Sequence, residues 1–318
     1  MERCWRWFGP EDRISLRQVR EAGATGVVTA LHGNYRGHAW NEAEVAARRD
    51  VIEAAGLRWS VVESIPVTSA IKRRRGPWRA DVDAFLASLR AVAAAGVRTV
   101  CYNFMPVVDW TRTELAYPLE NGALAVRFDP VALAAFDVHV LRRPAASGDY
   151  DETTLLAAER FYAGLDEAAI ERLSRTLTMG LPGADGGHDL SDFAQRLAEY
   201  RDIDAEALRA NLTAFLSDAA PEAERLGVRL CLHPDDPPRP VFGIPRVVST
   251  LTDYRHILGA VDTSANGVTF CAGSLGARED ADVPAMAREL APRTHFLHLR
   301  RVALEGGGAF HETDHAGA

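Results

Sequence analysis

Residues 80–104 read ADVDAFLASLRAVAAAGVRTVCYNF, and the reading of this stretch decides the fold. An amphipathic segment over 80–95 predicts a helix, Gly96 ends it, and the apolar run 97–104 predicts a strand directly after. Moving outward toward the N-terminus, the same unit recurs. A strand over 4–8 precedes a helix over 15–22, with Ser15 as its N-cap and Gly23 as its stop. The β-branched run 26–32 leads into a helix over 42–55 closed by Gly56, and 58–62 is the next strand. Strands alternating with glycine-terminated helices argue for parallel β/α winding. Toward the C-terminus the beat lapses over 107–204, where helical segments at 129–136, 152–165 and 167–176 are separated by glycine-rich loops such as 180–187. No strand is expected there. The region is expected to be a long helical insertion after strand four, forming a lid on the catalytic face. The beat resumes with helix 205–225, strand 228–233, helix 252–258, strand 267–271, helix 283–291 and strand 295–300. The expectation is an α/β fold: a TIM (β/α)8-type barrel forming a single domain over 1–318. Seven strands are counted where a closed barrel needs eight, so the eighth is expected to be missing from this chain.

Composition agrees with a globular protein of this size. Hydrophobic residues make up 47% and charged residues 25% of 318 residues. The formal net charge of −8 argues against nucleic acid or an anionic membrane surface as partner. The one basic run, Lys72-Arg73-Arg74-Arg75, reads as a solvated loop face. The N-terminus has no apolar signal segment, and no uncharged run reaches membrane-spanning length, so a cytoplasmic location is expected. Four cysteines in so long a chain do not make a disulfide framework, and three lie in runs that read as strands.

The strand ends carry the chemistry, because catalytic groups in an α/β barrel come from the C-terminal ends of strands and the loops after them. Strand five ends Leu232-His233-Pro234-Asp235-Asp236-Pro237-Pro238, strand six ends Phe270-Cys271-Ala272-Gly273-Ser274, and strand seven ends Leu297-His298-Leu299-Arg300. The loop expected after it reads Phe310-His311-Glu312-Thr313-Asp314-His315. Singly, a His at a strand end is more often a hydrogen-bonded core residue, and a Cys there a buried thiol. Three neighbouring strands delivering His, Cys and His at one end favour a dispersed catalytic metal site, with Asp314 from the next loop. His295 and His298 are three apart and face opposite sides of the sheet, and His298 is nearer the rim. Two imidazoles, a thiolate and a carboxylate are soft enough to favour Mn, Fe, Co or Zn over Mg. His315, next to Asp314, is placed to carry a proton, with His311 and Glu312 as weaker candidates. Arg300 is a candidate for gripping a substrate carboxylate, against a solvated arginine. Asn103, at the end of strand four, is a candidate for holding a hydroxyl, against a backbone cap.

At these residues the chain resembles the mannonate dehydratase family. The matching stretches include Trp5-Arg6-Trp7-Phe8-Gly9, Val61-Val62-Glu63-Ser64-Ile65-Pro66-Val67, Cys101-Tyr102-Asn103-Phe104-Met105-Pro106 and Asp109-Trp110-Thr111-Arg112-Thr113. They also include His233-Pro234-Asp235-Asp236-Pro237-Pro238, Phe270-Cys271-Ala272-Gly273-Ser274-Leu275-Gly276 and Phe310-His311-Glu312-Thr313-Asp314-His315. The resemblance implies a xylose-isomerase-like barrel that dehydrates D-mannonate to 2-keto-3-deoxy-D-gluconate in hexuronate breakdown, using one Mn2+ or Fe2+. It implies His233, Cys271, His298 and Asp314 as ligands and His315 as the essential histidine. Loops 33–38 and 68–70 depart from the family's pattern. Two further readings share these residues: a xylose-isomerase-like sugar isomerase or epimerase, whose sites lean on carboxylates rather than cysteine, and a truncated, non-catalytic sugar-acid or metal-binding paralogue. A homo-oligomer is compatible with the long insertion.

Overall fold

The computed structural model describes residues 1–33, 38–179 and 189–314. In chain order its strands are β1 (Cys4–Arg6), β2 (Gly26–Thr29), β3 (Arg58–Glu63), β4 (Thr99–Tyr102), β5 (Glu114–Pro118) and β6 (Leu124–Phe128). They continue with β7 (Arg229–Leu232), β8 (Asn266–Cys271), β9 (Thr294–His298), β10 (Val302–Gly306) and β11 (Ala309–Glu312). Seven of these pair in parallel in the order β1-β2-β3-β4-β7-β8-β9. They are the seven strands expected from the sequence. β9 approaches β7 and β4 as well as its neighbour β8, so the sheet is curled into a half-barrel.

Helices cover the outer face. The helix Trp78–Ala94 buries Val82, Phe85, Leu89 and Val92, and the helix Ala205–Leu226 packs beside it with Leu208, Leu212, Phe215 and Leu216 buried. Both end at a glycine with positive φ, Gly96 at 84° and Gly227 at 65°, a backbone region that penalises any side chain. Ser15 caps the first helix as expected, accepting a hydrogen bond from the Gln18 amide.

Alternation along the strands sets what faces inward. Val27, Val62, Val100, Leu230 and Leu232 belong to the main core beneath the helices, whereas Val28, Val61, Cys101 and Cys231 form a separate cluster with Phe296. This second cluster lines the concave side of the half-barrel. Because side chains repeat with period two, the next inward residues along the strands are Glu63, Asn103, His233, Cys271 and His298. One layer of apolar side chains thus supports a layer of polar and ionisable ones.

Region 107–204 corrects the expectation of an all-helical segment. It contains β5 and β6, which form a hairpin and join β10 and β11 in a four-stranded antiparallel sheet, order β10-β11-β6-β5. The turn carries Asn121-Gly122, with Gly122 at φ 83°, a strong short hairpin signal that the sequence reading passed over. β5 is mostly exposed and β6 finds its other partner almost two hundred residues away, at β11, so neither shows the alternation of a half-buried strand. The stretch Phe310-His311-Glu312 is likewise strand rather than loop, paired with β10 across the turn Gly306-Gly307-Gly308. Among the described residues, no helix is long and apolar enough to cross a membrane.

Candidate active site

Parallel strands put all seven C-terminal ends on one rim, and the ends of β7, β8 and β9 meet there. His233, Cys271 and His298 each offer one ligand atom, and these atoms lie within 4.8 Å of one another. His233 Nδ1 is 2.7 Å from the Pro234 carbonyl, which fixes that nitrogen as the N–H donor and turns Nε2 into the cluster. That Nε2 is 3.2 Å from His298 Nδ1. Two nitrogens bound to one ion at about 2.1 Å stand roughly 3.0–3.4 Å apart, so the spacing fits a shared cation. His295, three residues earlier, turns the other way and contacts the Ser264 carbonyl, as the parity argument requires.

The electrostatics favour the ligating form of the sulfur. Burial pushes the Cys271 thiol up, but the Arg300 guanidinium and His233 outweigh it and hold the thiol well below its ordinary value. A thiolate is what metal coordination needs. Burial alone would depress the His233 imidazole. The negative charge at Cys271, then at Glu63 and Asp236, reverses this and raises it to about 9. The two shifts have one cause, the mutual attraction of the Cys271 sulfur and the His233 ring, and both favour a charged sulfur at the rim.

A second layer surrounds the three. Asp236 is 1% exposed and is gripped from two sides, by Arg112 at 2.8 and 3.2 Å and by Arg300 at 2.7 Å. These cations overcome burial and keep its carboxyl far below the usual carboxylate range. The buried Ser274 hydroxyl sits 3.2 Å from both Asp236 Oδ2 and Cys271 Sγ and accepts from Arg300 Nη2 at 3.1 Å. On the opposite side Glu63 pairs with Arg6 at 2.9 Å and lies 3.8 Å from His298 Nε2. Burial would raise its carboxyl, yet Arg6 and the two histidines lower it to about 2. A cleft of about 180 Å³ opens over the site, lined by Arg6, Glu63, Asn103, Trp110, His233 and Arg300 among others.

Asn103 borders the cleft while its Oδ1 accepts from the Met105 amide at 3.2 Å, so its carbonyl serves as a local backbone cap. Arg300 borders the cleft but is ion-paired to Asp236 rather than solvated. Asp314 is not part of the three-residue cluster: it is exposed and accepts a hydrogen bond from Asn121 Nδ2 at 3.0 Å. His311 pairs with Glu305, and Glu312 reaches Arg112 and Arg300 at 3.4 and 3.5 Å. His315 lies outside the described residues. Glu63, Asp236 and Arg112 were not singled out from the sequence, although each lies inside a quoted family stretch. Glu63 had a usable signal, since it is a carboxylate at the end of β3, on the inward parity and at the same rim as the others.

The D-mannonate dehydratase (UxuA) family model matches residues 1–318. The chain belongs to the D-mannonate dehydratase family. It is 51% identical to the mannonate dehydratase of Chromohalobacter salexigens over 316 residues, 99% of this chain and 81% of that protein. It is 48% identical to the mannonate dehydratase of Rhizobium meliloti, over 96% of this chain and 76% of that protein. Among solved structures, the mannonate dehydratase from Streptococcus suis serotype 2 matches with a TM-score of 0.77 at 31% identity, covering 99% of this chain and 77% of the other. A D-psicose 3-epimerase matches with a TM-score of 0.52 at 13% identity, a likeness of fold alone.

Proposed function

We propose that the chain is a hydro-lyase that dehydrates D-mannonate to 2-keto-3-deoxy-D-gluconate, with one Mn2+ or Fe2+ held at the rim. The observation that carries this reading is a buried His–Cys–His cluster at three adjacent strand ends, in a chain of this family. His233, Cys271 and His298 would hold the ion. Asp314 is proposed as a fourth ligand, one that must leave its contact with Asn121 to serve. Bound there, the ion would supply Lewis acidity toward the carboxylate and a hydroxyl of the sugar acid, easing loss of the weakly acidic C2 proton.

The chain's own residues account for the rest. Arg300, held against Asp236, brings fixed positive charge to the cleft for the substrate carboxylate. Arg6 adds a second cation at the cleft wall, partly offset by Glu63. Asn103 keeps its amide nitrogen for a substrate hydroxyl, its oxygen being engaged by the backbone. A base must take the C2 proton while an acid protonates the departing C3 hydroxide, giving water and an enol that becomes the 2-keto product. His315 is proposed for proton transfer. The segment 107–204 is proposed to flank the catalytic face of a single barrel domain, and its β5–β6 hairpin joins β11, which ends at Glu312 beside Arg300.

The test is turnover. Purified protein, stripped of metal and reloaded with Mn2+ or Fe2+, should convert D-mannonate to a product positive in the thiobarbiturate assay for 2-keto-3-deoxygluconate. Bound metal without product would instead favour a non-catalytic paralogue.

A further inference from the structure

We propose that Glu63 is a positioning residue that orients the His298 imidazole toward the cation; this rests on the metal reading above and goes one layer beyond it. An imidazole that ligates through one nitrogen presents an N–H at the other, and the partner of that N–H sets the ring's tautomer and direction. For His233 the outer partner is the Pro234 carbonyl, at 2.7 Å from Nδ1, and Nε2 points inward. For His298 the inward nitrogen is Nδ1, 3.2 Å from His233 Nε2, so Nε2 is the outer one. The group facing it is the Glu63 carboxylate, at 3.8 Å.

Glu63 is built for that office. It ends β3 in register with Cys101 of β4, so its backbone is set by the sheet ladder rather than by a loop. Its side chain is 12% exposed and anchored to Arg6 Nη1 at 2.9 Å, which preserves its negative charge despite burial. At 3.8 Å the contact with His298 is an ion-pair distance rather than a hydrogen bond. It is nevertheless enough to favour the tautomer that carries its proton on Nε2 and its lone pair on Nδ1. A carboxylate facing the outer N–H also makes the inner nitrogen a better donor to the cation.

The experiment measures metal affinity rather than turnover. Metal-free wild type, Glu63→Gln and Glu63→Asp are titrated with Mn2+ against a competing chelator, after thermal melts establish that each variant is folded. Glu63→Gln keeps shape and loses charge, and it should bind Mn2+ roughly 10–100-fold more weakly. Glu63→Asp keeps the charge for Arg6 but draws the carboxylate back, and it should fall between the two. If Glu63→Gln fails to fold, Glu63→Asp carries the test alone. Wild-type affinity in Glu63→Gln would overturn the positioning role, leaving Glu63 as a cleft wall or a proton carrier. Wild-type affinity in Glu63→Asp would overturn it too, reducing the residue to bulk charge. Failure of the wild type itself to bind Mn2+ would remove the underlying metal reading, an outcome distinct from the other two.

Discussion

The ends of β7, β8 and β9 and the end of β11 all carry residues quoted as metal or proton chemistry, yet they are built differently. At the first three, His233, Cys271 and His298 converge within 4.8 Å, and Asp236, Ser274, Arg300 and Glu63 surround them. Just past β11, Asp314 is exposed and bound to Asn121. The contrast is between side chains placed by a hydrogen-bonded parallel sheet and one placed by a hairpin sheet appended to it. The former is preorganised before any ligand arrives. To serve as the proposed fourth ligand, the latter would have to leave Asn121.

That comparison can be broken from either side. The largest effect is expected at Asp236, whose loss leaves Arg112 and Arg300 with only the more distant Glu312 as shared counter-charge. Asp236→Ala should cost about 3–5 kcal/mol of stability, read as a shift in the urea midpoint. A cost under about 1 kcal/mol would mean that the second layer is not preorganising anything. Asp314→Asn should behave oppositely: stability within about 0.5 kcal/mol of wild type, as at most exposed positions, but weaker Mn2+ binding in a chelator competition. Unchanged Mn2+ affinity would take Asp314 out of the ligand set and leave the site to the strand ends alone.

A smaller effect is expected at His32, past the end of β2. Burial, helped by the nearby cations Arg6 and Arg48, lowers its pKa to about 4. The unfolded chain, with an ordinary histidine near 6.5, binds this proton more readily between pH 4 and 6.5. His32 therefore contributes stability that is present above about 6.5 and is lost as pH falls toward 4. His32→Gln should flatten that part of the stability profile, measured by urea unfolding across the window; an unaltered slope would show that the histidine is not held neutral.

The same contrast explains what was legible in the sequence. All seven parallel strands could be read because glycine stops and short apolar runs are local signals. His233, Cys271 and His298 could be read because strand parity and strand ends are local as well. β5, β6, β10 and β11 escaped because the two hairpins become one sheet only through the β6–β11 pairing, almost two hundred residues apart, and their local marks are just the turns at Asn121-Gly122 and Gly306-Gly307-Gly308. Glu63 and Asp236 escaped for another reason. Their importance lies in what they face, Arg6 and His298 for one, Arg112 and Arg300 for the other, and none of those partners is near in sequence.

Cys271, between two histidines, is proposed to bind a cation as thiolate. Titrating the metal-free protein with Co2+ tests it most directly. One equivalent should bind per chain, with a thiolate-to-cobalt charge-transfer band in the near ultraviolet that is lost in Cys271→Ser. Co2+ binding without that band in the wild type, or with an identical band in Cys271→Ser, would contradict it.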